Sequence, residues 1–200
     1  MVQNNAEIEW LKKQKRPWNS KTIRNSAEYG SLELVTLLFE AGCELTVETF
    51  EYAAHSGNIQ ILNFLLKNGC PYDEATSAAV AGNGKIKNLE WIKNNNFPMD
   101  SSTFRAAAFY GNIDNMKYLL SIDCPFDKNT FSAAANNGNL DNMKWLRENK
   151  FPWNEWTFTY AVKQTDPEIK ENLIRWLYIS GCPWNQKHFQ LLQDMDIWKM

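Results

Sequence analysis

Two hundred residues, 44% of them hydrophobic and 22% charged, make an ordinary globular composition with enough chain for a sizeable core. A formal net charge of -2 and a pI near 5.8 leave no basic footprint, so nucleic acid is expected not to be a partner. The longest apolar runs, such as residues 34–39, are too short to span a bilayer and Met1 is followed by polar residues, which predicts a cytoplasmic protein that is neither membrane-bound nor secreted.

A repeat organises the chain. Thr22, Thr49, Thr76, Thr103, Thr130 and Thr157 recur at a spacing of 27, and Gly30, Gly57, Gly84, Gly111 and Gly138 keep the same spacing. A period in this range marks a solenoid, in which each unit buries its apolar face against its neighbours. Taken in order, residues 2–19 read as the second half of a unit, with Ile8, Trp10, Leu11 and Pro17 one period before Val35, Leu37, Leu38 and Glu44. Lys12, Lys13, Lys15 and Arg16 give this half a charged outer face, as suits a terminal repeat.

Each full unit reads as two short helices, best seen between Met99 and Leu120. Asp100 is suited to cap the first helix by accepting the Thr103 N–H, and Met99 to pack on Phe104 as a hydrophobic staple; Tyr72, Phe126, Trp153 and Trp184 hold the same staple position. Ala106, Ala107 and Ala108 permit close helix approach, and Gly111 ends the helix in a left-handed conformation. Asn112 caps the second helix, where Ile113, Met116, Leu119 and Leu120 share one face, and Pro125 blocks continuation. Leu37, Phe64, Trp91, Tyr118, Trp145 and Trp176 occupy one repeated site and are expected to pack between second helices and turns rather than to cage a ligand.

The run from Gly57 to Cys70, GNIQILNFLLKNGC, resembles the ankyrin signature, with Ile61, Leu62, Leu65 and Leu66 in its four apolar places and Ala53 and Ala54 matching the preceding alanine pair. The resemblance covers residues 7 to 193. Ordinary ankyrin repeats have 33 residues, and the shortening here falls between Gly69 and Thr76, where that family carries a projecting hairpin. The chain therefore resembles the short, hairpin-less type abundant in protists, brown algae and large DNA viruses of amoebae. The resemblance implies an all-α, ankyrin-like helix-turn-helix solenoid of six full units with partial units at both ends, forming a single domain over residues 1–200.

Two regions depart from the period. Trp176 stands 31 residues after Trp145, so four residues are added around Thr165 to Lys170, which predicts a longer inter-helix turn with Asp166 as cap and Pro167 at the first helical position. After Asn185 a last first-type helix, His188 to Asp194, is expected to close the array.

Cys43, Cys70, Cys124 and Cys182 share a single slot of the repeat, filled elsewhere by Phe97 and Phe151, so they are expected to be packed, reduced thiols. Helix packing distances of about 8–10 Å exceed the span of a disulfide. Neither a CxxC pair nor clustered histidines suggest a metal, and no cofactor is expected. No acid, base and nucleophile converge: Asp194 and Asp196 would not face each other on a helix, His55 has no partner in sequence, and Gly82, Asn83 and Gly84 lack the Lys and Ser or Thr of a phosphate loop. An enzyme is not expected.

The expected function is binding of another protein, by a monomer, through the concave face that first helices line in ankyrin arrays. Rows at two and six places after each Thr run through Arg24, Glu51, Ala78, Arg105, Ser132 and Thr159, and through Glu28, His55, Gly82, Phe109, Asn136 and Lys163. Within and beside them, Glu51, Tyr52, His55, Arg105, Phe109, Tyr110, Trp156 and Tyr160 are the candidate contacts, because aromatic and Arg side chains dominate binding hot spots. Packing of Phe109 and Trp156 against adjacent turns is the competing reading of those two. The alternative function is a structural component of a viral particle or larger assembly, in which case the setting is host cytoplasm or virion.

Overall fold

A computed structural model describes Lys13 and residues 18–194. The half-unit read from Ile8, Trp10, Leu11 and Pro17, and the pair Asp194 and Asp196, fall outside the described side chains. Among the described residues all regular structure is helical, and the helices follow one another as packed pairs, a helical-repeat fold. The chain divides into two compact units, Met1–Pro98 and Met99–Met200.

The first unit holds α1 (Ser20–Glu28), α2 (Leu32–Glu40), α3 (Val47–Ser56), α4 (Ile59–Lys67), α5 (Glu74–Asn83) and α6 (Ile86–Asn94). The second holds α7 (Ser101–Phe109), α8 (Ile113–Ser121), α9 (Lys128–Asn137), α10 (Leu140–Glu148), α11 (Glu155–Val162), α12 (Pro167–Ile179) and α13 (Gln186–Asp194). Odd-numbered helices are first helices of the repeat. They pack on one another, α1 on α3 and α3 on α5 in the first unit, α7 on α9 and α9 on α11 in the second.

The recurrent Thr explains itself as the third residue of each first helix. Its hydroxyl accepts the backbone N–H of the cap residue, at 3.2 Å for Thr49 from Thr46, 3.4 Å for Thr76 from Asp73 and 3.4 Å for Thr130 from Asp127. Asn19, Asp73 and Asp127 return a side-chain acceptor to the first turn, completing reciprocal capping of otherwise unpaired N–H groups. Asp100 caps α7 by accepting from the N–H of Ser102, two residues on, rather than chiefly from Thr103. In α13 the Thr is replaced by His188, whose Nδ1 accepts the Asn185 N–H at 3.2 Å.

Helix ends are equally regular. Gly57 closes α3 at φ 63°, which favours glycine, and a Cβ there would displace the Asn83 amide from its place against the turn. Second helices end with the residue after the left-handed turn bonding back five residues: Cys70 N–H to the Leu65 carbonyl, Phe97 to Ile92, Phe151 to Leu146, each at 3.0 Å. Asn96, Asp123 and Lys150 adopt positive φ where Gly42, Gly69 and Gly181 stand in other units.

The core is the expected apolar face. Phe50, Ile61, Leu62 and Leu65 are fully buried in the first unit and Phe104, Met116, Leu119, Phe131, Met143 and Leu146 in the second. Leu65 and the alanines Ala53, Ala54, Ala107 and Ala108 have no exposed surface, consistent with close approach of neighbouring helices.

Two expectations are corrected. Three of the four supposed staple rings pack between repeats: Tyr72 stacks on Phe97 at 3.9 Å and meets Phe50 edge-on, Phe126 meets Phe104 and Phe151, and Trp153 meets Phe131 and Trp176, whereas Trp184 stacks on Phe189 of its own helix at 6.5 Å, as a staple does. Each of these three rings meets the preceding repeat's buried Phe, which offers it an aromatic partner. The four added residues also do not simply lengthen a turn. They extend α12 to 13 residues, against 9 in α10, as one extra helical turn started by Asp166, which accepts from the Glu168 and Ile169 N–H groups, with Pro167 at its start. Four residues are close to one turn of helix, so the lower part of α12 keeps its register.

Candidate partner-binding surface

Among the proposed contacts of the first unit, Glu51, Tyr52 and His55 share α3. The Tyr52 ring lies 4.6 Å beneath the Arg24 guanidinium of α1 and meets His55 edge-on at 6.3 Å. Arg24 Nη1 also donates to Glu48 at 2.9 Å, which fixes the guanidinium over the ring. Partial burial, and then the neighbouring charges of Asp73 and Glu48, raise the Glu51 pKa, while His55 opposes the shift. The result is a polar cluster bridging α1 and α3, with His55 exposed.

In the second unit Phe109 and Tyr110 end α7, 41% and 55% exposed, with rings edge-on at 5.2 Å. Trp156 is 54% exposed at the start of α11, and Tyr160, one turn on, lies 5.1 Å under the Lys163 ammonium. Arg105 is half-buried. These side chains sit on α7 and α11, the two first helices packed on either side of α9. The row two places after each Thr is not uniformly a surface row: Ser132 of α9 is buried, its hydroxyl 3.3 Å from Asn154 Oδ1 and 3.4 Å from Thr157 Oγ1, and Thr159 Oγ1 is 3.2 Å from His188 Nε2.

The recurrent aromatics of the second helices behave as packing groups. Trp91 lies 5.2 Å from Phe97, and its indole N–H donates to Asn63 Oδ1 at 2.9 Å; Trp145 lies 5.9 Å from Phe151.

Sequence reading missed the amides that tie repeats together. Asn58 Nδ2 donates to the Gly30 carbonyl at 3.0 Å, Asn88 Nδ2 to Gly57 at 3.1 Å, Asn83 Nδ2 to His55 at 2.6 Å and Gln164 Nε2 to Ala135 and Asn136 at 2.9 and 2.8 Å. Each amide satisfies a carbonyl left open at the end of the preceding first helix. The tying amides stand at more than one place in the repeat, so the spacing carried no single signal for them.

The four cysteines are buried thiols. Burial pushes the Cys70 and Cys182 thiols up to about 12. Among the described residues no group of three or more His, Cys, Asp or Glu is placed to hold a metal ion, and no helix is long and apolar enough to cross a membrane.

No family model matches the chain, and no curated protein matches it. A solved chain described as the pentatricopeptide repeat protein PPR10 in complex with an 18-nt psaJ RNA element is similar over 88% of this chain and 33% of its own length, at 13% identity and a TM-score of 0.41. The exclusion of nucleic acid drawn from net charge is corrected, because a whole-chain charge of -2 averages over a surface on which contacts are local.

Proposed function

We propose that this chain is a short-type, ankyrin-like array that performs no chemistry and binds a partner protein in the cytoplasm through its first helices. The observation that carries the reading is the exposure of Phe109, Tyr110 and Trp156 on α7 and α11, in a fold whose first-helix Phe positions 50, 104, 131 and 158 are fully buried. Large aromatics that the core does not consume are the residue type that anchors protein interfaces. Arg105, Tyr160 and Lys163 supply the polar margin of this surface, and Glu51, Tyr52 and His55 form a separate patch on α3. The resemblance of the Gly57 to Cys70 run supports the family assignment, and the loss of projecting hairpins leaves helix side chains to carry the contacts.

The test is affinity capture from the native cell with wild type, Phe109→Ala and Trp156→Ala. Each variant is expected to melt within a degree or two of wild type and to recover less partner per folded molecule. Variants that melt several degrees lower with capture intact would place these rings in the core and remove the site. Stoichiometric recovery of the chain in purified particles, without a separate partner, would instead favour a building-block role.

A further inference from the structure

The second helices of the first unit carry a feature that the repeat does not require. Between the starts of α4 and α6 lies a groove of about 760 Å³, lined by Ile59, Gln60, Ile86, Trp91 and the exposed Lys85 and Lys87, among others. Glu90 is the one acid in its lining. Its volume is that of an ordinary ligand cleft.

The charge order around this groove inverts that of the other second helices. Glu33, Asp114, Asp141 and Glu168 stand in the first turns of α2, α8, α10 and α12, where an acid complements the positive end of a helix, while α4 and α6 carry none. In α8 and α10 the first-turn Asp pairs with a Lys three residues on, at 3.9 and 3.6 Å. In α6 the same two places hold Lys87 and Glu90. The cap position, filled by Ser31, Asn58, Asn112, Asn139 or Asp166 elsewhere, is Lys85, which makes no side-chain cap. Its ammonium instead donates to the Gly57 and Ser56 carbonyls at 3.2 and 3.4 Å, and neither lysine meets a carboxylate among the described residues.

Lys85 ties α6 to the end of α3 as the amides do elsewhere, but Lys87 opposes local helix energetics and the fold gives no reason for it; a negative charge brought from outside does. We propose that this groove docks an extended acidic peptide segment of a partner protein. Lys85 and Lys87 receive its carboxylates, and Ile59, Ile86 and Trp91 receive one apolar side chain between them. The Trp91 ring is held for this by its bond to Asn63. The three large apolar side chains favour a peptide over a phosphate backbone, which has nothing to bury there.

The test uses the whole chain and acetylated, amidated pentapeptides with two acidic residues on either side of a central Leu, Phe or Ala, with an oligouridylate as the competing probe. Binding is read from the backbone amide signals of Ile59, Ile86 and Lys87 and the Trp91 indole signal. The Leu and Phe peptides are expected to shift these signals with Kd of about 1 mM or tighter, the Ala peptide more weakly, and all less at high salt. Lys87→Asp restores the charge order of α8 and α10, so it is expected to fold at least as stably while weakening the peptides about tenfold. Should it fail to fold, Lys85→Gln reads the same loss. No shift at ~10 mM peptide, binding unchanged by both substitutions, or shifts produced by the oligouridylate alone would each overturn the proposal.

Discussion

At the scale of single residues, the repeat separates what a position needs from what happens to occupy it. Lys150 is exposed and sits at φ 61°, where Gly42, Gly69 and Gly181 stand in equivalent turns. A left-handed conformation costs a side-chain-bearing residue about 1–2 kcal/mol, while glycine loses more freedom on folding. Lys150→Gly should therefore stabilise the protein by about 0.5–1 kcal/mol in urea unfolding, and a loss of stability would mean the lysine makes a compensating contact. The thiols make the opposite kind of case. Cys70 and Cys182 are pushed up to about 12 by burial, so they stay protonated in the fold and should react with iodoacetamide far more slowly than after denaturation, when all four thiols should titrate. Their raised folded pKa contributes stability that is complete below the unfolded value near 8.5 and declines as pH rises toward 12.

At the scale of helices, most boundaries were legible because each end carries its own chemistry. Thr49 and Gly57 bracket α3, and the capping bond and the left-handed turn lie where those residues required. What stayed illegible were choices between two satisfactory partners. Tyr72 could cover its own helix or the preceding Phe50, and counting residues between Trp145 and Trp176 could not show that four extra ones become helix. The exposure of Phe109 was equally undecidable, since the same ring at a neighbouring register packs inside. Where packing was unambiguous, magnitude follows: Leu65 of α4 is fully buried, so Leu65→Ala should cost about 2–5 kcal/mol, checked by denaturant melts. α13 offers a pH test. His188 is buried with Nδ1 accepting from Asn185 and Nε2 beside Thr159, and burial lowers its pKa, with Lys187 adding to the shift and Glu155 opposing it. A depressed histidine pKa means the unfolded state takes the proton first. The contribution to stability is therefore complete above about 6.5 and lost as pH falls through the lower folded value. His188→Thr, which restores the repeat's own residue, should flatten that acid-side decline; an unchanged decline would assign it to other groups.

At the scale of the whole chain, repeat architecture makes stability a sum of units and nearest-neighbour contacts rather than a property of one indivisible core. Three or more stacked repeats are the usual minimum. The unit Met99–Met200 meets that count by itself, with three helix pairs from α7 to α12 and α13 beyond them. Its own buried set includes Phe104, Leu119, Phe131, Leu146, Phe158 and Leu177, and its polar ties run within it, as Gln164 does to Ala135 and Asn136. A fragment comprising residues 99–200 is therefore expected to fold alone, with far-ultraviolet dichroism dominated by helix and a cooperative melt. Leu146→Ala within that fragment should lower its stability by about 2–5 kcal/mol, as a buried large-to-small change does. A fragment that shows helix signal without a cooperative transition, and no response to Leu146→Ala, would mean that burial within this unit does not suffice to order it.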